Sequence, residues 1–430
     1  MAATAGDRIL SLDLIRGIAV MGIFSVNVVG MAMIEKAYFD PPEYGFAGVG
    51  DRIMWAANFI LVDGKFRSLF SILFGASMVL VIERGIVAGK EAWQVHYPRM
   101  IVLLLFGLAH FYFLWWGDIL ANYALVGMVA FAFWRLPSAW LLLTATVSLA
   151  LMYGPMVARG VDIAAAPRPP LVAVVEGVYM EAGDSAVSGK LGAQISRMKD
   201  REIALDKSAH ATPAAHFRQM VNGPHPLRPF ESVPNYGLET LGLMLLGMAG
   251  YKSGFLTGAW SRRRYVQLAA VLVGSSLLWF GQACWRILEA DFAAATFQPW
   301  GSLFMSPMHP FSAMGYAALA ILAFGSGGAL AERLAAVGRA AFTNYLGATL
   351  IGTVLFYGFG FGLYGQLSRG EAWLIVPFVW ASMLLWSKWW LDRFRYGPLE
   401  WLWRSLARAR PQPMRKTTAP PSPAPEFPAA

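Results

Sequence analysis

Residues Leu14–Met33 read LIRGIAVMGIFSVNVVGMAM, a stretch whose only charged side chain is Arg16. A helix of about 20 residues is what a hydrocarbon layer of roughly 30 Å requires. A surface helix of a soluble protein would carry a polar face along its length, and this one has none. Nine more apolar stretches follow: Phe66–Ile82, Ile101–Trp116, Ile119–Trp134, Trp140–Val157, Tyr236–Tyr251, Tyr265–Trp285, Phe311–Leu330, Ala340–Leu363 and Trp373–Leu391. Apolar residues make up 57% of the chain and charged ones 14%. Mean hydropathy is +0.48. Backbone polar groups in lipid are satisfied only within helices or closed barrels, and no run of alternating strands is present. The sequence therefore predicts an all-α, polytopic transmembrane helix bundle of about ten spans.

The net charge of +9 would suggest nucleic acid in a soluble chain. In a bilayer it is accounted for by the bias of Lys and Arg toward the cytoplasm, and no nucleic-acid partner is expected. With the N-terminus inside, most basic residues, from Arg8 and Arg16 through Arg262–Arg264 to Arg415 and Lys416, fall on the cytoplasmic side. The short outer loops then keep only Lys36, Arg52, Arg286 and Arg369. Ten crossings return the Arg-rich C-terminus inside, so both termini are expected in the cytoplasm. The first helix is too long and too polar at its start for a cleaved leader, so it is expected to be retained.

The expected organisation is an N-terminal five-helix half (1–157), a polar block on the outer face (158–234), a C-terminal five-helix half (235–403) and a disordered cytoplasmic tail (404–430). Helical formers at Lys190–Lys207 predict a helix within the polar block. The apolar stretch Ile53–Val62 is too short to span and is expected along the membrane surface. The halves show no internal repeat of the inverted-transporter kind. The single cysteine, Cys284, excludes an intrachain disulfide. No Walker loop, dinucleotide fingerprint, zinc spacing or haem attachment motif is present, so neither a bound cofactor nor a metal is expected. The sequence specifies no oligomeric state.

Ionisable side chains within a bilayer are costly, roughly 2.5–3.5 kcal/mol each on insertion scales, so their placement is informative. An outer group gathers Asn27, Lys65, Arg67, His110, Asp118 and Glu239. His110 lies about 10 Å below the outer surface at a rise of 1.5 Å per residue. A neutral imidazole there can take a proton from a hydroxyl, as a general base for acyl transfer must. It can equally bond a backbone carbonyl or a Trp in a packed bundle. Asp118, eight residues on, is expected to lie too far along a straight helix to orient His110, a part left to a carboxylate such as Glu239. Asp118 also fits a cap on the fourth helix, and Lys65 and Arg67 also fit snorkelling to headgroups. An inner group gathers Asp13, Arg16, Arg339 and Asn344. Asp13 and Arg16 share a helical face and are expected to pair. The arginines suit an anionic group such as the phosphates of an acyl carrier.

Several motifs together resemble the YeiB family of bacterial inner-membrane proteins, a domain of unknown function. They are Arg8 to Asn27 with Asp13, Arg16, Gly17 and Gly22; Lys65-Phe-Arg67-Ser-Leu-Phe-Ser-Ile-Leu-Phe-Gly75; Gly107-Leu-Ala-His110 followed by Gly117-Asp118-Ile119-Leu120; Gly338-Arg339 through Asn344 to Leu346; Gly362-Leu-Tyr-Gly365; and Gly397-Pro398-Leu399-Glu400-Trp401-Leu-Trp403-Arg404. The first motif is also similar to the start of transmembrane acyltransferases. That resemblance implies a catalytic membrane-embedded His, matched here by His110, and acyl-CoA or a similar cytoplasmic donor. The acceptor would be an outer-face hydroxyl on a glycan or lipid. The same polar residues also suit a multi-pass transporter for a small solute or lipid, with Pro377 as a place for a broken helix. A third reading is a non-catalytic membrane partner of another protein. The lipid bilayer is the partner common to all three.

Overall fold

The computed structural model describes residues 9–166, the backbone of 172–175 and 178–181, and residues 197–198 and 200–416. The chain begins with α1 (Leu10–Ala32), short α2 (Glu35–Phe39), α3 (Val49–Leu61) and α4 (Lys65–Val87). It continues with α5 (Ala92–Phe113), α6 (Leu120–Ala130) and α7 (Ser138–Ala165). An antiparallel hairpin, β1 (Val172–Val175) and β2 (Val178–Glu181), precedes α8 (200–209) and α9 (Pro213–Asn222). The second half holds α10 (Arg228–Lys252), α11 (Arg262–Glu289), short α12 (Ala294–Gln298), α13 (His309–Phe324) and α14 (Ala329–Arg339). It closes with α15 (Ala341–Phe356), short α16 (Arg369–Trp373), α17 (Ile375–Arg393) and α18 (Pro398–Ala407).

Each of the ten apolar stretches has its helix. Among the described residues seven helical regions are long and apolar enough to cross a membrane, and two shorter apolar helices lie at Leu120–Phe133 and Ala341–Phe356. The molecule is an all-α membrane bundle. Hydropathy alone does not say which helix is central: the apolar windows of α1 and α7 score 1.8 and 1.7, yet 72% of the first and 22% of the second is buried. Against lipid an apolar side chain gains nothing by burial, so close packing decides instead. α1 runs through the middle, touching α4, α13, α14, α15 and α17. At Gly17 a β-carbon would lie on the Leu334 carbonyl, and at Gly338 on that of Asp13, so α1 and α14 meet backbone to backbone. Gly75 and Gly247 play the same part between α4 and α10. The outer belt exposes Leu143, Val147 and Leu151 of α7, Val271 and Leu278 of α11, and Phe378 and Leu385 of α17. In water such a surface would aggregate; it is what lipid covers.

The structure departs from the expected boundaries where glycines and caps intervene. The stretch Phe311–Leu330 is not one helix: Gly327 and Gly328 take positive φ, +89° and +112°, and end α13. The following α14 is amphipathic and buries Leu334, Val337 and Gly338. The Ala340–Leu363 stretch is helical only to Phe356. α3 buries Trp55 and Phe59 on α11, with Phe59 set 5.7 Å from Phe280, centroid to centroid. The polar block keeps α7 helical to Ala165 and starts α10 at Arg228, six residues before its expected end. Of Lys190–Lys207, residues 197–198 and 200–207 are helical, and 190–196 and 199 lie outside the described residues. The expected tail is ordered to residue 416, because α18 extends to Ala407 and the chain folds back so that the Arg395 N–H donates to the Met414 carbonyl at 2.9 Å. Residues 417–430 lie outside the description.

Candidate functional site

The decisive local feature is the turn between α5 and α6. α5 stops at Phe113, and the N–H groups of Leu114 and Trp115 both close on the His110 carbonyl at 2.9 Å. The chain then reverses through Gly117. Gly107 has no side chain, and a β-carbon there would strike the Ala121 backbone, so the start of α6 lies against the last turns of α5. Asp118 returns to the level of His110. Its Oδ1 is 2.9 Å from His110 Nδ1, and its Oδ2 accepts from the Ala121 N–H at 2.8 Å. The expectation that Asp118 is too distant is therefore corrected: it assumed a straight helix, and the helix ends three residues after His110. The carboxylate also caps the start of α6, through the Ala121 N–H and not through Asn122, which donates to Ser232 instead.

On the other edge of the ring, His110 Nε2 lies 3.1 Å from Thr349 Oγ1 of α15. An ionised Asp118 accepts from Nδ1–H, which leaves Nε2 as the lone-pair nitrogen facing the hydroxyl. The imidazole is 1% exposed and sits against Tyr345, 5.4 Å between centroids. Thr349 and Tyr345 were not anticipated. Thr349 lies one helical turn after Tyr345, and only the fold of the second half brings that face of α15 onto α5.

Two cavities border this constellation, one through Tyr345 and the other through Asp118, while His110 and Thr349 line neither. One, of about 280 Å³, opens at the end of the bundle where α1 begins and is called the near cavity. Arg16, Arg84, Arg99, Arg339, Arg395 and Arg404 line it, against Asp13 and Glu400. The far cavity, about 490 Å³, is lined by Asn27, Asp63, Arg67, Trp115, Trp116, Asp118, Asn122 and Tyr236 among others. A small void lined by Asn27, Tyr345 and Thr349 lies between α1 and α15.

The remaining anticipated residues divide. Asp13 pairs with Arg16 at 2.8 Å, and Arg16 also donates to Ser77 Oγ at 2.6 Å; both face the near cavity, as does Arg339. Glu239 does not reach His110. It accepts from Arg67 at 2.8 Å and from the Tyr153 hydroxyl at 3.0 Å, because α10 turns that face toward α4 and α7. Lys65 is fully buried rather than snorkelling. Its ammonium donates to the Phe59 carbonyl at 2.8 Å and stands 3.3 Å over the Phe280 ring, since the α3–α4 turn folds it inward. Asn344 is likewise consumed by structure: its amide donates to Val337 O and Ser387 Oγ, and its oxygen accepts from the Trp386 indole. Neither Lys65 nor Asn344 lines either cavity. Glu400 caps α15, accepting from the N–H groups of Phe342 and Thr343 at 2.7 and 3.0 Å. Among the described residues no cluster of His, Cys, Asp and Glu suits a metal ion.

Compared with curated proteins, the chain is 32% identical over 428 residues to the Uncharacterized protein YeiB of Escherichia coli (strain K12), a match spanning 96% of this chain and all of that protein. The chain belongs to the YeiB family. It is also similar to the Uncharacterized protein YxaH of Bacillus subtilis (strain 168), 30% identical over 96% of this chain and 97% of the relative. An Uncharacterized 39.9 kDa protein in amylase 3'region of Bacillus acidopullulyticus is 24% identical over 95% of this chain and 96% of that one. Residues 250–410, from the end of α10 to the segment after α18, match the family model described as Protein of unknown function (DUF418). No solved structure matches the chain significantly.

Proposed function

We propose that this protein is a transmembrane acyltransferase of the bacterial inner membrane, with both termini and the near cavity facing the cytoplasm. The observation that carries the reading is the carboxylate–imidazole–hydroxyl series Asp118–His110–Thr349, at 2.9 and 3.1 Å, set between a basic cavity and a polar, aromatic one. The arginines of the near cavity suit the phosphates of acyl-CoA or a similar donor, since planar guanidinium groups bind phosphate oxygens bidentately. The acceptor, a glycan or lipid hydroxyl, enters the far cavity and takes the place of Thr349 Oγ1 on His110 Nε2. As the acceptor oxygen attacks the thioester carbonyl, its proton passes to Nε2. The C–O bond forms, the C–S bond breaks, and the thiolate leaves with the proton that His110 carried. Asp118 holds the Nδ1 proton in place and offsets the positive charge on the ring during transfer, as a buried carboxylate does in other acyl-transfer sites.

The test is turnover by purified protein in vesicles given radiolabelled acyl-CoA and envelope acceptors. His110→Ala is expected to abolish labelled product while inserting normally; full turnover by that variant would end the proposal. A second reading, transport of a small solute or lipid, is favoured by two cavities that reach from opposite ends without joining. It predicts flux across the vesicle wall with no covalent product.

A further inference from the structure

The two cavities approach each other at one residue. Among the described residues that line them, Tyr123 is the one common to both. It stands on the first turn of α6, whose neighbouring positions alternate between the two sides: Ile119 and Asn122 face the far cavity, and Leu120 faces the near one. The Tyr123 ring is 2% exposed. It packs on Phe70 and Phe74 of α4, with centroids at 5.9 and 5.4 Å. Its hydroxyl is tied to the same helix, 2.6 Å from Ser71 Oγ and 3.3 Å from the Arg67 carbonyl. On one side of this ring lies the arginine-lined space, and on the other the cavity that Asp118 borders.

We infer that Tyr123 is the partition of a single passage through the protein, and that its ring sets the largest group that crosses from the near cavity to the far one. The near face of the partition is apolar, made by Phe70, Phe74 and Leu120, so a short acyl chain is accepted there and a charged carrier is not. A ring held to α4 by two hydrogen bonds at its hydroxyl, one stacked ring and one tilted ring is a wall one side chain thick. Removing it joins the volumes, and removing only the hydroxyl loosens it. What passes rests on the acyl-transfer reading above; that a single ring divides the passage does not.

The test uses thiol accessibility and needs no knowledge of the substrate. In a Cys284→Ser background, which removes the chain's one native thiol, Asn27→Cys reports on the far cavity and Ser77→Cys on the near one. A membrane-impermeant maleimide is applied to sealed vesicles of either orientation. With Tyr123 in place, each reporter reacts from its own face at least tenfold faster than from the opposite one. With Tyr123→Ala the asymmetry of Asn27→Cys falls below about threefold, and Tyr123→Phe gives an intermediate value. Tyr123→Leu carries the same test should the alanine variant fail to accumulate. Equal labelling from both faces with Tyr123 present, or unchanged asymmetry in a variant that keeps its own-face labelling, overturns the inference. A second arm compares acetyl-, butyryl- and octanoyl-CoA as donors, with the preference expected to move at least tenfold toward the longer chains in Tyr123→Ala. Altered labelling with no transfer in any protein would sink the acyltransferase reading and leave the partition standing.

Discussion

Replacing Asp118 with Asn alters one atom in a fully buried group and separates the chemistry from the fold. The carboxylate serves two donors at once, His110 Nδ1–H at 2.9 Å and the Ala121 N–H at 2.8 Å. An asparagine has one oxygen to offer. If it stays on Ala121, the amide nitrogen faces Nδ1, the ring proton moves to Nε2, and the nitrogen that should take the acceptor's proton becomes a donor. If the amide flips to keep the Nδ1 proton, its NH₂ meets the Ala121 N–H. That costs the cap, about 1 kcal/mol, and leaves a buried donor unsatisfied at about 1–3 kcal/mol more. At about 1.4 kcal/mol per factor of ten, the flip alone slows turnover by about 30- to 1000-fold. The lost charge beside the transient imidazolium adds to this, and the same exchange in serine proteases lowers kcat by about 10⁴. We expect a loss of about 10³–10⁴ in thiol released from acyl-CoA by purified protein in acceptor-containing vesicles, with unchanged expression. Glu239→Gln, which breaks the Arg67 pair instead, should lower thermal stability without touching the tautomer. An Asp118→Asn protein within about fivefold of the unaltered one, assayed beside an inactive His110→Ala, would refute the orienting role.

Three further outcomes follow from the packing. Gly247→Ala sets a β-carbon on the Ile72 carbonyl, a backbone atom that cannot rotate away, so overpacking of about 1–3 kcal/mol should appear as a lower Tm in detergent. Glu400→Ala orphans the N–H groups of Phe342 and Thr343 at the start of α15; at about 1–3 kcal/mol for each buried unsatisfied group it should lower Tm more than Glu400→Gln. In the polar block, burial holds His216 down to about 4 and also lowers His210; around them stand Tyr357, Tyr364, Asp206 and Glu35. The unfolded segment takes up protons below about pH 6.5 while the docked one does not. Docking therefore weakens as pH falls from about 6.5 toward 4, by about 1.4 kcal/mol per pH unit for His216, with His210 acting in the same direction. Proteolysis of α8–α9 should accelerate across that window, and less steeply in His216→Phe.

How much of this was legible in the sequence depends on what each residue's partner is. The helices were, because a run such as Leu14–Met33 needs only its own composition to span. Their order around α1 was not, since lipid removes the contrast between core and surface that patterning reports. The glycines at 17, 75, 247 and 338 held that information, but each names a close approach without naming its partner. His110 and Asp118 were legible as chemistry and misread as geometry, because Gly107 and the halt at Phe113 set their separation. Lys65 and Asn344 show the converse. A costly polar side chain in the membrane drew attention in sequence, yet both turn out to tie backbone and side-chain groups together. Glu239 was expected beside the imidazole because the pairing of Arg67 across α4 and α10 leaves no local trace.

The dyad itself is a product of one helical hairpin, with partners eight positions apart, whereas the hydroxyl opposite it arrives from 239 residues downstream. During synthesis the first hairpin can therefore settle in the bilayer with its proton-handling pair already aligned, while the opposite wall is still on the ribosome. Until α15 docks, the wall that carries Thr349 is missing, so a truncated or half-assembled chain would leave His110 open to water on that side. On the acyl-transfer reading, completion of the chain is what licenses the chemistry.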